Sequence, residues 1–378
     1  MGVSAATTAT DLVAYVNKLL AQSVDLTQEI KKGEWPAVVA AVAAKTDALL
    51  ALEVETDVEG TFNMLFDVIR QLPADSVATE AKKVLAVVTS KTDDKAVLRL
   101  RIASNLFNKT AGFPELRFDT LLAVITYASS IKHLDLVSGY FDDVENLFDA
   151  TKLTADKRRK LYLTIADVLA AEDEKSVKVL LFLEKYLNTL AVEDAAAGKD
   201  IAVRAVKLVA KNPVASFLAR VDLITNPAVS ALKGDKSVEL LQILSSKTLK
   251  EFAEFKKAAG DAFFTEIGAD AAELESTMRL FTLCSLPTGF DEIPFEKIAG
   301  ALSIDDEDVE KWVVKAITAN LINAKVDQLR RTVVITRSLQ RSFGEAQWNE
   351  IHAKLQVYKK NVGALLDVVR NARQAHQK

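Results

Sequence analysis

The stretch "AKVDQLRRTVVITRS", which runs from Ala324 to Ser338, alternates apolar and polar residues as a β-hairpin does. Alternation with a period of two places successive side chains on opposite faces of a strand. It predicts strands over residues 322–327 and 332–337, joined by a turn at residues 328–331. The hairpin and its exit also carry a cluster of basic side chains, which are Lys325, Arg330, Arg331, Arg337 and Arg341.

The segment before the hairpin predicts two helices. Residues 292–294 form a short extended piece, residues 295–302 make a helix of two turns, and a second helix is expected to begin near residues 303–306. The apolar side of the second helix is predicted to carry Val309, Trp312, Val313, Ala316, Ile317 and Leu321. Helix, turn, helix and hairpin within about 50 residues are the order of a winged helix.

The sequence before Pro287 predicts α-helices. Phe62, Leu65, Phe66 and Ile69 follow the i, i+3, i+4, i+7 spacing of a helix that buries one face. Only 13 glycines and 7 prolines occur among the 378 residues, and helix breakers fall between the periodic segments. We predict a mainly α fold in which a right-handed helical-repeat array is followed by the winged helix and by a long C-terminal helix.

The C-terminal segment predicts one long helix with a heptad seam. Residues 342–345 fit a capping box at its start. Large apolar residues then recur at alternating spacings of three and four, and we call them the seam residues: Trp348, Ile351, Leu355, Tyr358, Val362, Leu365 and Val369. Such a seam is unfavourable in water and must be covered. The sequence does not determine what buries the seam. The two alternatives are the chain's own helical array and a bundle with helices of partner chains.

Charge balance and cysteine content limit the classes of function. Lys plus Arg number 48 against 52 Asp plus Glu, and a net charge of −4 excludes a polycation that coats nucleic acid. The one cysteine, Cys284, rules out an intrachain disulfide and indicates a reducing compartment. The N-terminus lacks the pattern of a signal peptide, and no stretch reaches the ~18 apolar residues of a membrane span. We therefore expect a cytoplasmic protein with no membrane contact.

The basic hairpin raises the question of nucleic acid. Asp305–Asp308, at the predicted start of the second helix, would face DNA phosphates of like charge, so no DNA contact is expected. For the basic side chains of the hairpin, the sequence leaves three environments open. They are solvent, a weak contact with RNA phosphate, and a contact with an acidic protein surface. Aromatic residues are absent from its strands, which gives no support to base stacking.

The residues that could carry catalysis are sparse. His133, His352 and His376 are scattered, and none has a second ligand at the spacing of a metal site. The dipeptide Gly198-Lys199 lacks the first glycine and the following Ser or Thr of a phosphate-binding loop. We expect no enzymatic activity, no metal and no cofactor.

Short stretches of the C-terminal half occur in a recognisable order, namely Leu240–Leu244, Met278–Leu280, residues 295–302, Asp308–Glu310 and Lys325–Gln328. This order resembles that of the PCI domain, a family named after the proteasome lid, the signalosome and initiation factor three. Family members join helical repeats to a winged helix. The resemblance implies N-terminal repeats over residues 1–180, a PCI module over 181–341, and a bundle helix over 342–378. Within the module, the helical part covers 181–286 and the winged helix covers 287–341.

The same resemblance implies a function. PCI subunits assemble through winged helices laid edge to edge and through C-terminal helices gathered into a bundle. Arg99–Asn108, Ala324–Ser338 and Arg341–Ile351 look most similar to the initiation-factor members. The expectation is a non-catalytic scaffold subunit of eukaryotic translation initiation factor 3, which helps to assemble the preinitiation complex on the small ribosomal subunit beside other PCI and MPN subunits. A subunit of the signalosome or proteasome lid, and a direct RNA-binding winged-helix protein, are the alternatives.

Overall fold

The computed structural model describes residues 5–21, 25–142, 144–146, 153–232, 234–289, 292–341 and 345–375. It is mainly α-helical with one small sheet, as the sequence predicts. Contacts divide the chain into two compact units, Met1–Thr189 and Leu190–Lys378. The finer division into repeats, PCI module and bundle helix at residues 180, 286 and 341 stays a prediction.

In the described residues of the first unit, the main elements are α-helices. They are α1 Ala5–Leu20, α2 Thr27–Lys32, α3 Trp35–Ala43, α4 Thr46–Leu50, α5 Glu55–Ile69, α6 Ala74–Val88, α7 Ala96–Lys109, α8 Pro114–Ser130, α9 Ser138–Asp142, α10 Ala155–Glu172 and α11 Val177–Asn188. Phe62, Leu65, Phe66 and Ile69 are all buried on α5, which confirms the predicted apolar face. Helices α6, α7 and α10 each pack against α8, and α11 packs against α10.

Ion pairs also join neighbouring helices of the first unit. Arg101 Nη1 on α7 lies 3.1 Å from Glu59 Oε2 on α5. Lys109 Nζ, at the end of α7, lies 2.6 Å from Asp67 Oδ2 on α5. These side chains are partly exposed, so each pair contributes at most about 1 kcal/mol to stability.

Arg99 is a fully buried cation on α7, with 1% of its surface exposed. Its Nη1 donates to the carbonyl oxygens of Val87 and Val88 at 3.2 and 3.0 Å, and its Nε donates to Asp94 O at 2.8 Å. Val87 and Val88 end α6, where the last carbonyls have no partner within the helix. The Arg99 guanidinium therefore caps α6 and joins it to α7.

The second unit begins with a helical part. Its helices are α12 Lys199–Lys211, α13 Pro213–Leu218, α14 Pro227–Ser230, α15 Lys236–Ser246, α16 Leu249–Ala259, α17 Asp261–Ile267 and α18 Ala271–Cys284. Phe252, Phe264, Met278 and Phe281 lie in its buried core. The side chains of Thr248 and Glu251 form a capping box at the start of α16, which fixes where that helix begins.

The winged helix follows, in the predicted order. It consists of β1 Ile293–Pro294, α19 Phe295–Leu302, α20 Val309–Thr318, β2 Ile322–Asp327 and β3 Thr332–Ser338. The extended piece predicted at residues 292–294 is a third strand, and the sheet order β1-β3-β2 makes β3 central. Helix α20 begins at Val309, later than predicted, because Asp305 is extended and residues 306–308 form a 3₁₀ turn.

Arg279 on α18 connects the helical part to the winged helix. Its Nε donates to Leu302 O, at the end of α19, at 3.2 Å. Its guanidinium carbon lies 5.5 Å from the centre of the Trp312 ring on α20, and its Nη2 lies 2.9 Å from Glu275 Oε1. One side chain thus holds both helices of the winged helix against α18.

The last helix is α21, Glu345–Ala375. Residues 342–344 of the predicted capping box lie outside the described residues. In the part of the chain that the structure describes, no helix combines the length and apolar character needed to cross a membrane.

Candidate partner-binding surfaces

The hairpin has a buried face and an exposed face. Val333 and Ile335 of β3 point into the core, with 0% and 1% of their surface exposed. Lys325 lies on the exposed face of β2. A β-bulge adds one residue to β3 near its end and brings Arg337 opposite Asn323, on the same exposed face. Lys325 and Arg337 therefore project into solvent from one side of the sheet.

The turn between β2 and β3 is held by side chains. Asp327 Oδ1 accepts a hydrogen bond from the backbone N–H of Arg330 at 3.0 Å. Arg331 takes a left-handed conformation with φ of 51°, which closes the turn. Gln328 Nε2 lies 2.7 Å from both carboxylate oxygens of Glu310, so the turn is tied to α20.

Two of the basic residues predicted at the wing, which is the hairpin of β2 and β3, find acidic partners inside the winged helix. Arg330 Nη1 lies 3.3 Å from Glu292 Oε1, and Arg331 Nη2 lies 3.0 Å from Asp306 Oδ2. These partners come from sequence positions far from the hairpin. Both arginines remain more than half exposed, so the pairs orient the side chains but contribute at most about 1 kcal/mol each.

Lys325 and Arg337 differ from Arg330 and Arg331 in their ionic contacts. Neither forms an ion pair with any residue that the structure describes. They are the two basic residues of the predicted wing set whose charge is left for solvent or for a binding partner.

Arg341 is the member of the set that turns inward. Its Nη2 lies 3.0, 3.0 and 2.9 Å from the carbonyl oxygens of Ile243, Leu244 and Lys247, at the end of α15. Its guanidinium carbon lies 5.3 Å from the centre of the Phe281 ring. Burial lowers the pKa of Arg341 to about 10, so the side chain stays charged at neutral pH. It caps α15 and fixes the chain as it leaves the winged helix.

Cys284 lies near Arg341 in the same core. It is 1% exposed, and burial raises the pKa of its thiol to about 11. A protonated, buried thiol is a poor nucleophile.

The seam residues of α21 form a row of exposed apolar side chains. Their exposed fractions lie between 37% for Val362 and 68% for Tyr358. Fully burying a side chain of this size is worth about 1.5–3 kcal/mol, so covering the seam would release substantial free energy. The seam has the character of a docking surface for another helix.

The apolar face of α21 widens toward its C-terminal end. In heptad terms Trp348, Leu355, Val362 and Val369 take position a, and the other seam residues take position d. Leu366 at position e and Val368 at position g extend the face, and they are 50% and 65% exposed. Apolar flanking positions favour contact with more than one helix.

Each of the two histidines that the structure describes lies beside a different polar side chain. His133 Nδ1 lies 3.8 Å from Asp135 Oδ1, and His352 Nε2 lies 3.4 Å from Gln356 Nε2. His376 lies outside the described residues. Among those described, no three His, Cys, Asp or Glu side chains are grouped so that they could hold a metal ion.

Comparison with known protein families agrees with the geometry of the second unit. Residues 260–337 match the PCI domain family. The chain contains a PCI domain. The match begins just before α17 and ends within β3, so the PCI domain takes in Arg279, the winged helix and the exposed basic face, and it stops before Arg341 and α21.

Curated relatives extend the similarity beyond the PCI domain. A Dictyostelium discoideum protein named eukaryotic translation initiation factor 3 subunit M is 27% identical over 326 residues, which cover 84% of this chain and 80% of the relative. A Phaeosphaeria nodorum protein of the same name is 29% identical over 322 residues, with 83% and 72% covered. A third, from Nematostella vectensis, is 27% identical over 327 residues, with 83% and 84% covered.

Proposed function

We propose that this chain is a non-catalytic scaffold subunit of eukaryotic translation initiation factor 3. The observation that carries the proposal is the shared name of relatives that align with more than four fifths of the chain. On this proposal it acts in the cytoplasm beside other PCI and MPN subunits, and it helps to build the preinitiation complex on the small ribosomal subunit. A PCI domain alone would equally suit the signalosome or the proteasome lid, and the names of the relatives favour the initiation factor.

The scaffold role is supported by the two surfaces of the second unit. The exposed seam of α21 offers a helix to a bundle, and its wider C-terminal face suits contact with more than one partner helix. Strand β2 is an edge of the winged-helix sheet, and unpaired strand edges are natural places for another chain to attach. Both features suit assembly with other subunits better than chemistry on a substrate.

Deletion of residues 345–378 tests the scaffold role. We expect the shortened chain to fold but to lose most of its association with the initiation-factor complex, because the seam is removed while both cores stay intact. The measurement is recovery of the complex with tagged full-length and shortened chains, with circular dichroism as the control for folding. Equal recovery of the complex by the two chains would contradict the proposal.

RNA binding by the wing is the second candidate, favoured by the unpaired charges of Lys325 and Arg337. If these residues contact phosphate, changing both to alanine should lower the salt-dependence slope of RNA affinity by about two, near one per lost contact. The matched control removes Arg330 and Arg331, whose charges are already paired with Glu292 and Asp306. We expect the full chain to bind RNA weakly and both double variants to keep their place in the complex.

A further inference from the structure

The charges beside the seam are of one sign in its N-terminal half. Between Trp348 and Val362 the flanking positions e and g hold His352, Lys354, Lys359 and Asn361, and none of the four is a carboxylate. All four side chains are exposed. In paired helices, residues at positions e and g face the flanks of the partner helix and determine which partner is accepted.

From this pattern we infer that the N-terminal half of the seam docks a helix of a different chain, which carries Glu or Asp along both flanks. The inference rests on the proposed function, which assigns the seam to partner helices, and it adds the chemistry that selects the partner. Opposite charges across the flanks attract, whereas like charges reject a wrong partner.

A second copy of this chain does not fit the seam. In a parallel pair of helices, a residue at position g faces the position e residue that lies five places further along the other helix. Lys354 and Lys359 are five residues apart, so a parallel pair of copies would set lysine against lysine on both sides. A fully overlapping antiparallel pair would bring Lys359 against the same residue of the other copy. The seam therefore selects a partner of opposite charge.

Trp348 and Tyr358 are the side chains expected to anchor that partner. They are 62% and 68% exposed, and aromatic residues of this size contribute most to binding when a partner covers them. Both lie in the half of α21 that has basic flanks. The apolar anchors supply the affinity of this half, and the lysines supply its selectivity.

Two synthetic helices of about four heptads provide the test. Both carry leucine at positions a and d, and they differ only in having glutamate or lysine at every e and g position. Binding to the full chain is measured by fluorescence anisotropy. We expect the acidic helix to bind at least about tenfold more tightly at low salt, with a preference that shrinks as salt is added.

Variants of the full chain identify the residues that produce the preference for the acidic helix. The double change Lys354→Glu with Lys359→Glu should reverse the preference of the chain for the acidic helix. The matched control changes Lys360, at position f, and Arg370, at position b, to glutamate, and the preference should then persist. Leu355→Asp should abolish binding of the acidic helix, because it places a charge in the seam itself.

Four results would overturn the inference: equal binding of the two helices, no binding of either helix, equal effects of the two double variants, or dimerisation of the full chain in sedimentation experiments. Each of them leaves the proposed function standing if the chain still co-purifies with initiation-factor subunits. Conversely, a preference for the acidic helix with no such co-purification would support the inference about the seam and reject the named complex.

Discussion

Changing Leu355 to aspartate is expected to weaken association of this chain with its complex by at least about a hundredfold. Leu355 lies in the middle of the seam and is 59% exposed. The substitution would lose about 1.5–3 kcal/mol of apolar burial and would add the cost of desolvating a charge. Competition between tagged variant and untagged parent chains for the purified complex measures the change in affinity.

Val357 provides a matched control for Leu355. It lies two residues away, it is 60% exposed, and it occupies position c, away from the seam. Val357→Asp should therefore leave affinity nearly unchanged while disturbing the isolated helix to a similar degree. An equal loss of affinity for the two variants would show that helix folding, and not the seam, controls association. No loss for either would remove the seam from the interface.

Arg99→Met is expected to destabilise the first unit by about 2–4 kcal/mol, since three carbonyl oxygens would lose a charged donor in a buried setting. Arg101→Met, two residues along α7, is the control. Arg101 is 47% exposed in its ion pair with Glu59, so its loss should cost at most about 1 kcal/mol.

Denaturant unfolding of the full chain measures both arginine variants. The two compact units need not unfold together, so the transition of the first unit must be followed separately, for instance by hydrogen exchange of peptides from α6 and α7. Equal midpoints for the two variants would mean that the Arg99 cap contributes no more than a surface ion pair.

Local pattern was sufficient to predict the winged helix. The alternation in residues 322–337 identified β2 and β3, because a strand with one buried face must alternate. The heptad spacing likewise predicted α21. Strand β1 was predicted only as an extended piece, since its pairing with Val333 and Thr332 is a contact between residues far apart in sequence.

The partners of the basic residues could not be predicted in this way. Arg330 meets Glu292 and Arg331 meets Asp306 across separations of 38 and 25 residues, which no local pattern encodes. From the sequence, solvent, RNA phosphate and an acidic protein surface were all open as the environment of these charges, and the structure shows acidic partners for both arginines within the winged helix. Arg341 likewise reaches a helix end 98 residues earlier.

Arg99 is a case in which a signal was present in the sequence. It lies three, four and seven residues before Ile102, Ala103 and Leu106, all of which are buried on α7. Helical spacing therefore places Arg99 on the buried face, whereas Arg101 falls on the other side. A cation at such a position is expected to have internal hydrogen-bond partners.

Affinity purification of the tagged full-length chain from cells, with quantification of every co-purifying protein, tests the scaffold assignment most directly. We predict that the other subunits of eukaryotic translation initiation factor 3 are recovered in near-equal amounts with this chain. Stoichiometric recovery of signalosome or proteasome-lid subunits instead, or of no partner at all, would contradict it.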